Sequence, residues 1–234
     1  IRNYVSDLSD YEQLFRWTEE NDGPTMIFNV TMQNHSGYSQ GWNNLSGDVN
    51  VTGGAKSSSI TTQYFSLMKE SDQAIQALVE HYSQVEEKTM IVFFGDHQPP
   101  LGNTFFETLY GKKLDERDPE EVQQAYETPF FIWANYDIPE ETIERTSLNY
   151  LYSILADRLG FPMTGYQKYL LDLSEEIPVL CAQGYWGDDG NYYELEDESS
   201  PYHDLINEYN ILEYNDIFGG KDRDLEFFAD VQPD

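Results

Sequence analysis

The sequence has few basic residues, a single cysteine and no long apolar run, and each scarcity argues against a class of protein. Its 13 Lys and Arg against 43 Asp and Glu give a formal net charge of -30, which argues against nucleic acid as a partner because that requires a basic surface. Cys181 is the one cysteine, so neither an internal disulfide nor a multi-cysteine zinc site forms. No apolar stretch approaches the roughly 18 residues of a membrane span, and no signal peptide is recognisable.

The composition nevertheless predicts a folded domain with an acidic surface. Aromatic residues make up 15% of the chain, including 18 Tyr and 13 Phe, which is more apolar mass than a disordered acidic segment has. A chain of 234 residues is long enough to bury a substantial core in one large domain, or in two. Because it begins at IRNYVSD without an initiator Met, we expect it to be a piece of a longer protein.

The most informative segment is 91–100, IVFFGDHQPP. Its four apolar residues predict a strand buried on both faces, and Gly95 permits a sharp turn or a close approach to a ligand. Asp96 and His97 then lie just past the strand, where open α/β sheets bind their ligands. A carboxylate beside an imidazole suits zinc or manganese; the alternative is a turn residue followed by a histidine that caps or packs.

A second apolar run, PTMIFNVTM at 24–32, also predicts a buried strand, and His35 follows its end. Residues 40–60 predict a surface loop and residues 61–82 a helix, so the order strand, helix, strand predicts a βαβ unit with parallel strands. Parallel neighbours would bring His35 to the same crevice as Asp96 and His97. There His35 could hydrogen-bond a phosphate or sulfate oxygen or protonate a leaving group; the alternative is a turn residue bonded to backbone.

The rest of the chain predicts further elements of the same class. Residues 101–127 predict a solvated loop or short helix, and residues 128–138 a third strand. A helix capped by Thr146 or Ser147 is predicted to run to Leu159 and end at Gly160. A hairpin around Asp189-Gly190 and a helix over 202–215 follow.

The two strand-end motifs, FNVTMQNHSGY and MIVFFGDHQPP in this order, resemble the carboxyl-terminal half of the lipoteichoic acid synthase and phosphoglycerol transferase group. That group belongs to the sulfatase, or alkaline phosphatase-like, superfamily. The resemblance implies a three-layer α/β/α sandwich with a largely parallel sheet, incomplete at its amino-terminal side. It covers residues 1–175 as part of the catalytic domain, with an aromatic acidic hairpin and closing helix at 176–220 and a mobile tail at 221–234.

The resemblance also implies the chemistry of the site. Asp96 and His97 would be metal ligands, with manganese as the expected ion and calcium, magnesium or zinc as alternatives. His35 would contact the phosphoglycerol or sulfate group of an anionic lipid-headgroup or ester substrate. The family's nucleophile and its carboxylate ligand lie upstream of the His motif, so we expect no catalytic nucleophile in this chain and no turnover by the chain alone.

The parent protein would then be a membrane-anchored enzyme at the extracellular face of a Gram-positive bacterium. The chain itself would be soluble, and its truncated sheet would favour self-association through an exposed edge. The competing hypothesis is a non-catalytic extracellular domain that binds cell-wall glycan or polymer. In it Tyr185, Trp186, Tyr192 and Tyr193 would stack on sugars, although such residues more commonly pack a hairpin.

Overall fold

The longest element of the chain is helix α2, Ser59–Tyr82, in a computed structural model that describes residues 1–21, 23–53 and 58–231. Ser58 caps the helix, because its hydroxyl accepts from the Thr61 amide while the Thr61 side chain accepts from the Ser58 amide. This reciprocal pair satisfies donors that the first turn of a helix leaves open. The helix predicted over 61–82 is therefore confirmed.

Helix α1, Asp7–Glu20, packs along α2 and is capped by the Ser6 hydroxyl, which accepts from the Ser9 amide. The two helices bury a cluster made of Tyr11, Ala74, Leu78 and Tyr82. Ile91 and Trp133 of the neighbouring sheet pack against the same cluster. The helix pair and the sheet therefore share one core.

That sheet consists of β1, Met90–Phe94, and β2, Phe130–Ala134, which pair antiparallel with Phe93 opposite Phe131. Asn135, just after β2, holds the segment that connects α2 to β1. Its side-chain nitrogen Nδ2 donates to the carbonyl oxygens of Tyr82, Val85 and Glu87, and its side-chain oxygen accepts from the Thr89 amide. The strands predicted at 91–94 and within 128–138 are confirmed.

Three details of the predicted sheet are wrong. Residues 24–32 form no strand, and Met26, Phe28 and Val30 are 85%, 73% and 63% exposed. No strand of the described residues pairs with this segment, so its backbone has no ladder hydrogen bonds. The predicted βαβ unit is consequently absent, and β1 pairs antiparallel and is half-buried rather than buried on both faces.

The chain divides into two units. The first, unit 1, comprises Ile1–Glu116 and Tyr126–Pro139, and the second, unit 2, comprises Arg117–Ala125 and Glu140–Asp234. Besides the elements above, unit 1 contains α3, Asn103–Tyr110, and a 3-10 turn at Leu114–Glu116. The segment 101–127, predicted as loop or short helix, thus forms short helices, including α4, Pro119–Gln123, which belongs to unit 2.

Unit 2 is built from helices around a small antiparallel sheet. Besides α4, the helices are α5 (Leu151–Leu159), α6 (Gly165–Glu176), α7 (His203–Phe218) and α8 (Leu225–Phe228), and the sheet is β3 (Val179–Cys181), β4 (Gly184–Trp186) and β5 (Tyr192–Tyr193). Its core contains Tyr150, Ile154, Leu170, Leu173, Ile177, Tyr185, Tyr202, Ile206 and Tyr209.

The helices and the hairpin predicted for this region are confirmed, but the predicted cap is wrong, because no side chain caps the start of the helix and the Ser147 hydroxyl bonds the Leu180 backbone instead. A 3-10 turn at Leu148–Tyr150 leads into α5, which ends at the left-handed Gly160, and β4 and β5 form the hairpin that contains Asp189-Gly190. The segment predicted as a mobile tail contains α8 with Phe228 buried, and residues 232–234 lie outside the described residues. Within the described residues, no helix combines the length and apolarity that a membrane span needs.

Candidate active site

The Asp96-His97 pair directly follows β1 and is held by the strand partner. The Gly95 amide donates to the Pro129 carbonyl at 3.1 Å, and the Thr128 hydroxyl donates to the Gly95 carbonyl at 2.9 Å. A side chain at Gly95 would place its Cβ 3.0 Å from the Thr128 Cβ. A larger residue at position 95 would therefore crowd the Thr128 side chain.

The Asp96 and His97 side chains converge in solvent. Their exposed fractions are 84% and 68%, and Asp96 Oδ2 lies 3.4 Å from His97 Nε2. The other carboxylate oxygen of Asp96 accepts from the His97 amide at 2.8 Å. This backbone bond fixes the carboxylate, so the second oxygen faces the imidazole.

The tautomer of His97 follows from its other ring nitrogen. Nδ1 lies 2.9 Å from the Gln98 carbonyl, and because a carbonyl only accepts, Nδ1 carries a hydrogen. In neutral His97 this leaves the lone pair of Nε2 directed toward a carboxylate oxygen. A divalent cation bound to both atoms would satisfy these two acceptors.

The residues fit a divalent cation as part of a site. A carboxylate oxygen and an imidazole nitrogen, with the imidazole oriented by a backbone carbonyl, form a common partial ligand set for manganese or zinc. Across residues 1–21, 23–53 and 58–231 no group of three or more His, Cys, Asp or Glu side chains is arranged to hold a metal.

His35 lies in a second exposed loop, between the 24–32 segment and Tyr38. Its amide donates to the Met32 carbonyl at 3.1 Å, and its Nδ1 lies 3.2 Å from the Tyr4 hydroxyl. Arg2 is buried beneath the loop and donates to the carbonyl oxygens of Gln33, His35 and Gly37. The loop is thus fixed by residues far from it in sequence.

One apolar cluster joins the His35 loop to the Asp96-His97 loop. Tyr38, Leu67 and Leu101 are buried together, so the segments that follow His35 and His97 pack on the same side of α2. Burial raises the pKa of Tyr38 to about 12, and among the smaller causes is the negative charge of Asp96. The structure therefore brings the two predicted loops together, although it does so without a parallel sheet.

A buried polar network beneath the His35 loop went unnoticed in the sequence. Asp7 at the start of α1 accepts from the Ser71 hydroxyl of α2, and the Gln33 side-chain amide donates to both Asp7 and Ser71, at 3.4 and 3.0 Å. Asp7 Oδ1 is buried without a hydrogen-bond partner. Burial, the largest cause, raises the pKa of Asp7, while the Ser71 hydrogen bond opposes that shift. No local pattern marks contacts 26 and 64 residues apart.

The aromatic residues proposed to stack on sugars lie in unit 2 and divide into two kinds. Tyr185 is fully buried, and the Trp186 indole donates to Gln123 at 2.6 Å. Tyr192 and Tyr193 line an open cavity of about 400 Å³, together with Asp118, Pro119, Glu120, Glu194 and Asp197. A stacking platform made of all four residues is therefore wrong, since Tyr185 belongs to the core.

The chain is a mixed helix and strand protein in which the loop after β1 and the His35 loop contact one apolar cluster through Leu101 and Tyr38. The chain belongs to the sulfatase family, whose model matches residues 2–161. It is 26% identical over 182 residues to the "Putative cyclic beta-1,2-glucan modification protein" of Rhizobium meliloti (strain 1021), a match that covers 76% of this chain and 28% of that protein.

A solved structure shares the fold. Streptococcus pyogenes phosphoglycerol transferase GacH, in complex with sn-glycerol-1-phosphate, superposes with a TM-score of 0.64 at 18% identity and covers 99% of this chain. The chain spans 55% of that structure's length. The alkaline phosphatase-like fold expected from the sequence motifs is thus confirmed at the level of the superfamily.

Proposed function

We propose that this chain supplies part of the active site of a metal-dependent phosphoglycerol transferase or sulfatase-like hydrolase that acts on anionic phosphate or sulfate esters at the cell surface. The observation that carries the proposal is the convergence of Asp96 Oδ2 and His97 Nε2, 3.4 Å apart, at the end of β1. Membership of the sulfatase family supports the same reaction class.

In this proposal Asp96 and His97 hold the cation, with manganese as the expected ion. A bound divalent cation neutralises substrate charge and lowers the pKa of an attacking hydroxyl. Such neutralisation matters in a protein of net charge -30, which repels anions. Exposed His35 hydrogen-bonds an oxygen of the ester group and can supply a proton to a leaving group.

The nucleophile belongs, in this proposal, to a part of the parent protein outside this chain. Asp96 and His97 without further ligands bind metal weakly, and the isolated chain turns over no ester. Between the two reactions the transferase is favoured, since GacH, with which the chain shares its fold, was solved with sn-glycerol-1-phosphate. The glucan in the name of the Rhizobium meliloti relative supports a sugar hydroxyl as acceptor.

Manganese titration calorimetry tests the metal pair. We expect weak binding by the wild-type chain that is lost in the double variant Asp96→Ala with His97→Ala. The matched control is His203→Ala with Asp204→Ala, which removes the adjacent His and Asp at the start of α7. Both variants change the formal charge equally, so nonspecific attraction to an acidic chain falls equally in both. Equal binding by the two double variants would refute the assignment.

A further inference from the structure

The Arg2 side chain is surrounded by the backbone of the His35 loop. Its guanidinium is buried, with 6% of the residue exposed, and it donates to the carbonyl oxygens of Gln33 at 3.0 Å, His35 at 2.5 Å and Gly37 at 3.2 Å. These carbonyls come from alternate residues, so the loop backbone wraps around one side chain. The His35 ring is left outside, on the exposed surface of the loop.

This use of a cation is unusual in so acidic a chain. The chain has 13 Lys and Arg, yet within the described residues no carboxylate lies at ion-pair distance from Arg2. Its charge is balanced instead by loop carbonyls and by the rings of Tyr4 and Tyr38, whose centroids lie 5.1 and 5.5 Å from the guanidinium carbon. The planar guanidinium holds its N–H donors at fixed angles and so can bond to several carbonyl oxygens at once. A lysine ammonium on its flexible side chain does not reproduce this geometry.

The backbone of Arg2 is held in place as well. Its amide donates to the Asn44 side-chain oxygen at 3.0 Å, and the Asn44 side-chain amide donates back to the Arg2 carbonyl at 3.0 Å. Arg2 has a φ of +54°, a left-handed conformation that residues with a side chain rarely adopt. Strained backbone persists where surrounding contacts impose it, and here those contacts direct the guanidinium into the loop.

Tyr4 acts on the ring that Arg2 leaves exposed. The Tyr4 hydroxyl lies 3.2 Å from His35 Nδ1, and the two rings are tilted by 50° with centroids 5.7 Å apart. When the hydroxyl donates to Nδ1, the hydrogen of the neutral imidazole is on Nε2. Nε2–H then points away from Tyr4 as a donor.

We propose that Arg2 and Tyr4 are positioning residues for His35: Arg2 templates the loop backbone, and Tyr4 selects the Nε2–H tautomer that donates to an ester oxygen. The inference rests on the proposed function only for the identity of the acceptor. The placement of the ring and its tautomer is a property of the chain alone, so it is measurable without turnover.

The first measurement is the ¹⁵N chemical shift of each His35 ring nitrogen, assigned by comparison with His35→Asn. In the wild type we expect the pattern of an Nε2–H imidazole. In Tyr4→Phe both shifts should move toward those of a tautomer mixture, while Tyr126→Phe, at a 60% exposed tyrosine, should leave them unchanged. Unchanged His35 shifts in Tyr4→Phe would overturn the role of Tyr4.

The second measurement is hydrogen exchange of the His35 amide, which is bonded to the Met32 carbonyl. Arg2→Lys keeps the charge but loses the fork, so we expect exchange to accelerate about tenfold. Arg16→Lys, on the exposed surface of α1, should have no effect. Equal exchange in both variants would overturn the template role of Arg2.

Binding of sn-glycerol-1-phosphate in the presence of manganese links the placement to the function. We expect Tyr4→Phe to weaken binding about threefold to tenfold, as the loss of one oriented donor predicts. If the shifts move in Tyr4→Phe but the wild type binds no sn-glycerol-1-phosphate, the positioning stands and the assignment of this ester as the acceptor of the His35 hydrogen bond fails. If the wild type binds and Tyr4→Phe binds equally well, the function stands and the positioning role fails.

Discussion

The two units of this chain are stabilised in different ways. Unit 2 has one continuous core in which Tyr150, Tyr185, Ile177 and Ile206 are at most 2% exposed. Unit 1 has two smaller apolar clusters and places buried polar groups between its helices. The residues with candidate chemistry, His35, Asp96 and His97, all belong to unit 1. In this chain, the larger apolar core therefore lies in unit 2, whereas buried hydrogen bonds in unit 1 hold the exposed loops that carry the candidate site.

The largest expected effect comes from the core of unit 2. Ile206→Ala removes a side chain that is 2% exposed and should lower the free energy of unfolding by about 2–5 kcal/mol, because transfer and cavity costs add. Ile211→Ala on the same helix removes a side chain that is 68% exposed, and it should change the free energy of unfolding by less than about 0.5 kcal/mol. Chemical denaturation of both variants measures the difference, and equal losses would contradict the assigned core.

A smaller effect is expected from the polar network of unit 1. Ser71→Ala deletes the hydroxyl that donates to Asp7 and accepts from Gln33 and Asn34. The buried carboxylate then loses its donor from α2, which should cost about 1–3 kcal/mol of unfolding free energy. Ser83→Ala, at the exposed end of α2, is the control. If the two serine variants unfold alike, the network does not stabilise unit 1.

The same contrast separates what the sequence predicts from what it cannot. Apolar runs, helical spacing and Gly160 at the end of α5 predict α2, α5, α7, β1 and β2, because those signals are local. Strand pairing is not local: β1 joins β2, and segment 24–32, with the same apolar character, joins no strand among the described residues. The order of strands along the chain was therefore a poor guide to pairing.

The candidate site divides in the same way. Asp96 and His97 were identified because two special residues follow an apolar strand at adjacent positions. Arg2 gave no such signal, since its partners are 31 to 35 residues away and are backbone carbonyls, which every residue has. A residue that holds a loop by bonding to its backbone carbonyls cannot be recognised from the amino-acid types in that loop.

The smallest expected effect is a pH dependence that distinguishes the buried carboxylate of unit 1 from the many exposed ones. Burial, the dominant cause, raises the pKa of Asp7 above the ordinary value of an aspartate. For a carboxyl with a raised folded-state pKa, stability is full below the unfolded pKa and falls as pH rises through the folded pKa. Ionising Asp7 therefore costs stability from about pH 4 upward, with a slope of at most about 1.4 kcal/mol per pH unit.

Asp7→Asn removes that dependence, because the amide stays neutral and still accepts from Ser71 on its oxygen. The variant should gain stability relative to the wild type as pH rises from 4 to 7, whereas Glu12→Gln, on the exposed surface of α1, should show no such trend. Urea denaturation across this range measures both. A constant difference between Asp7→Asn and wild type would mean that Asp7 ionises as freely in the folded chain as in the unfolded one. The Ser71 and Gln33 contacts would then compensate its burial fully, and the polar network would stabilise unit 1 at every pH.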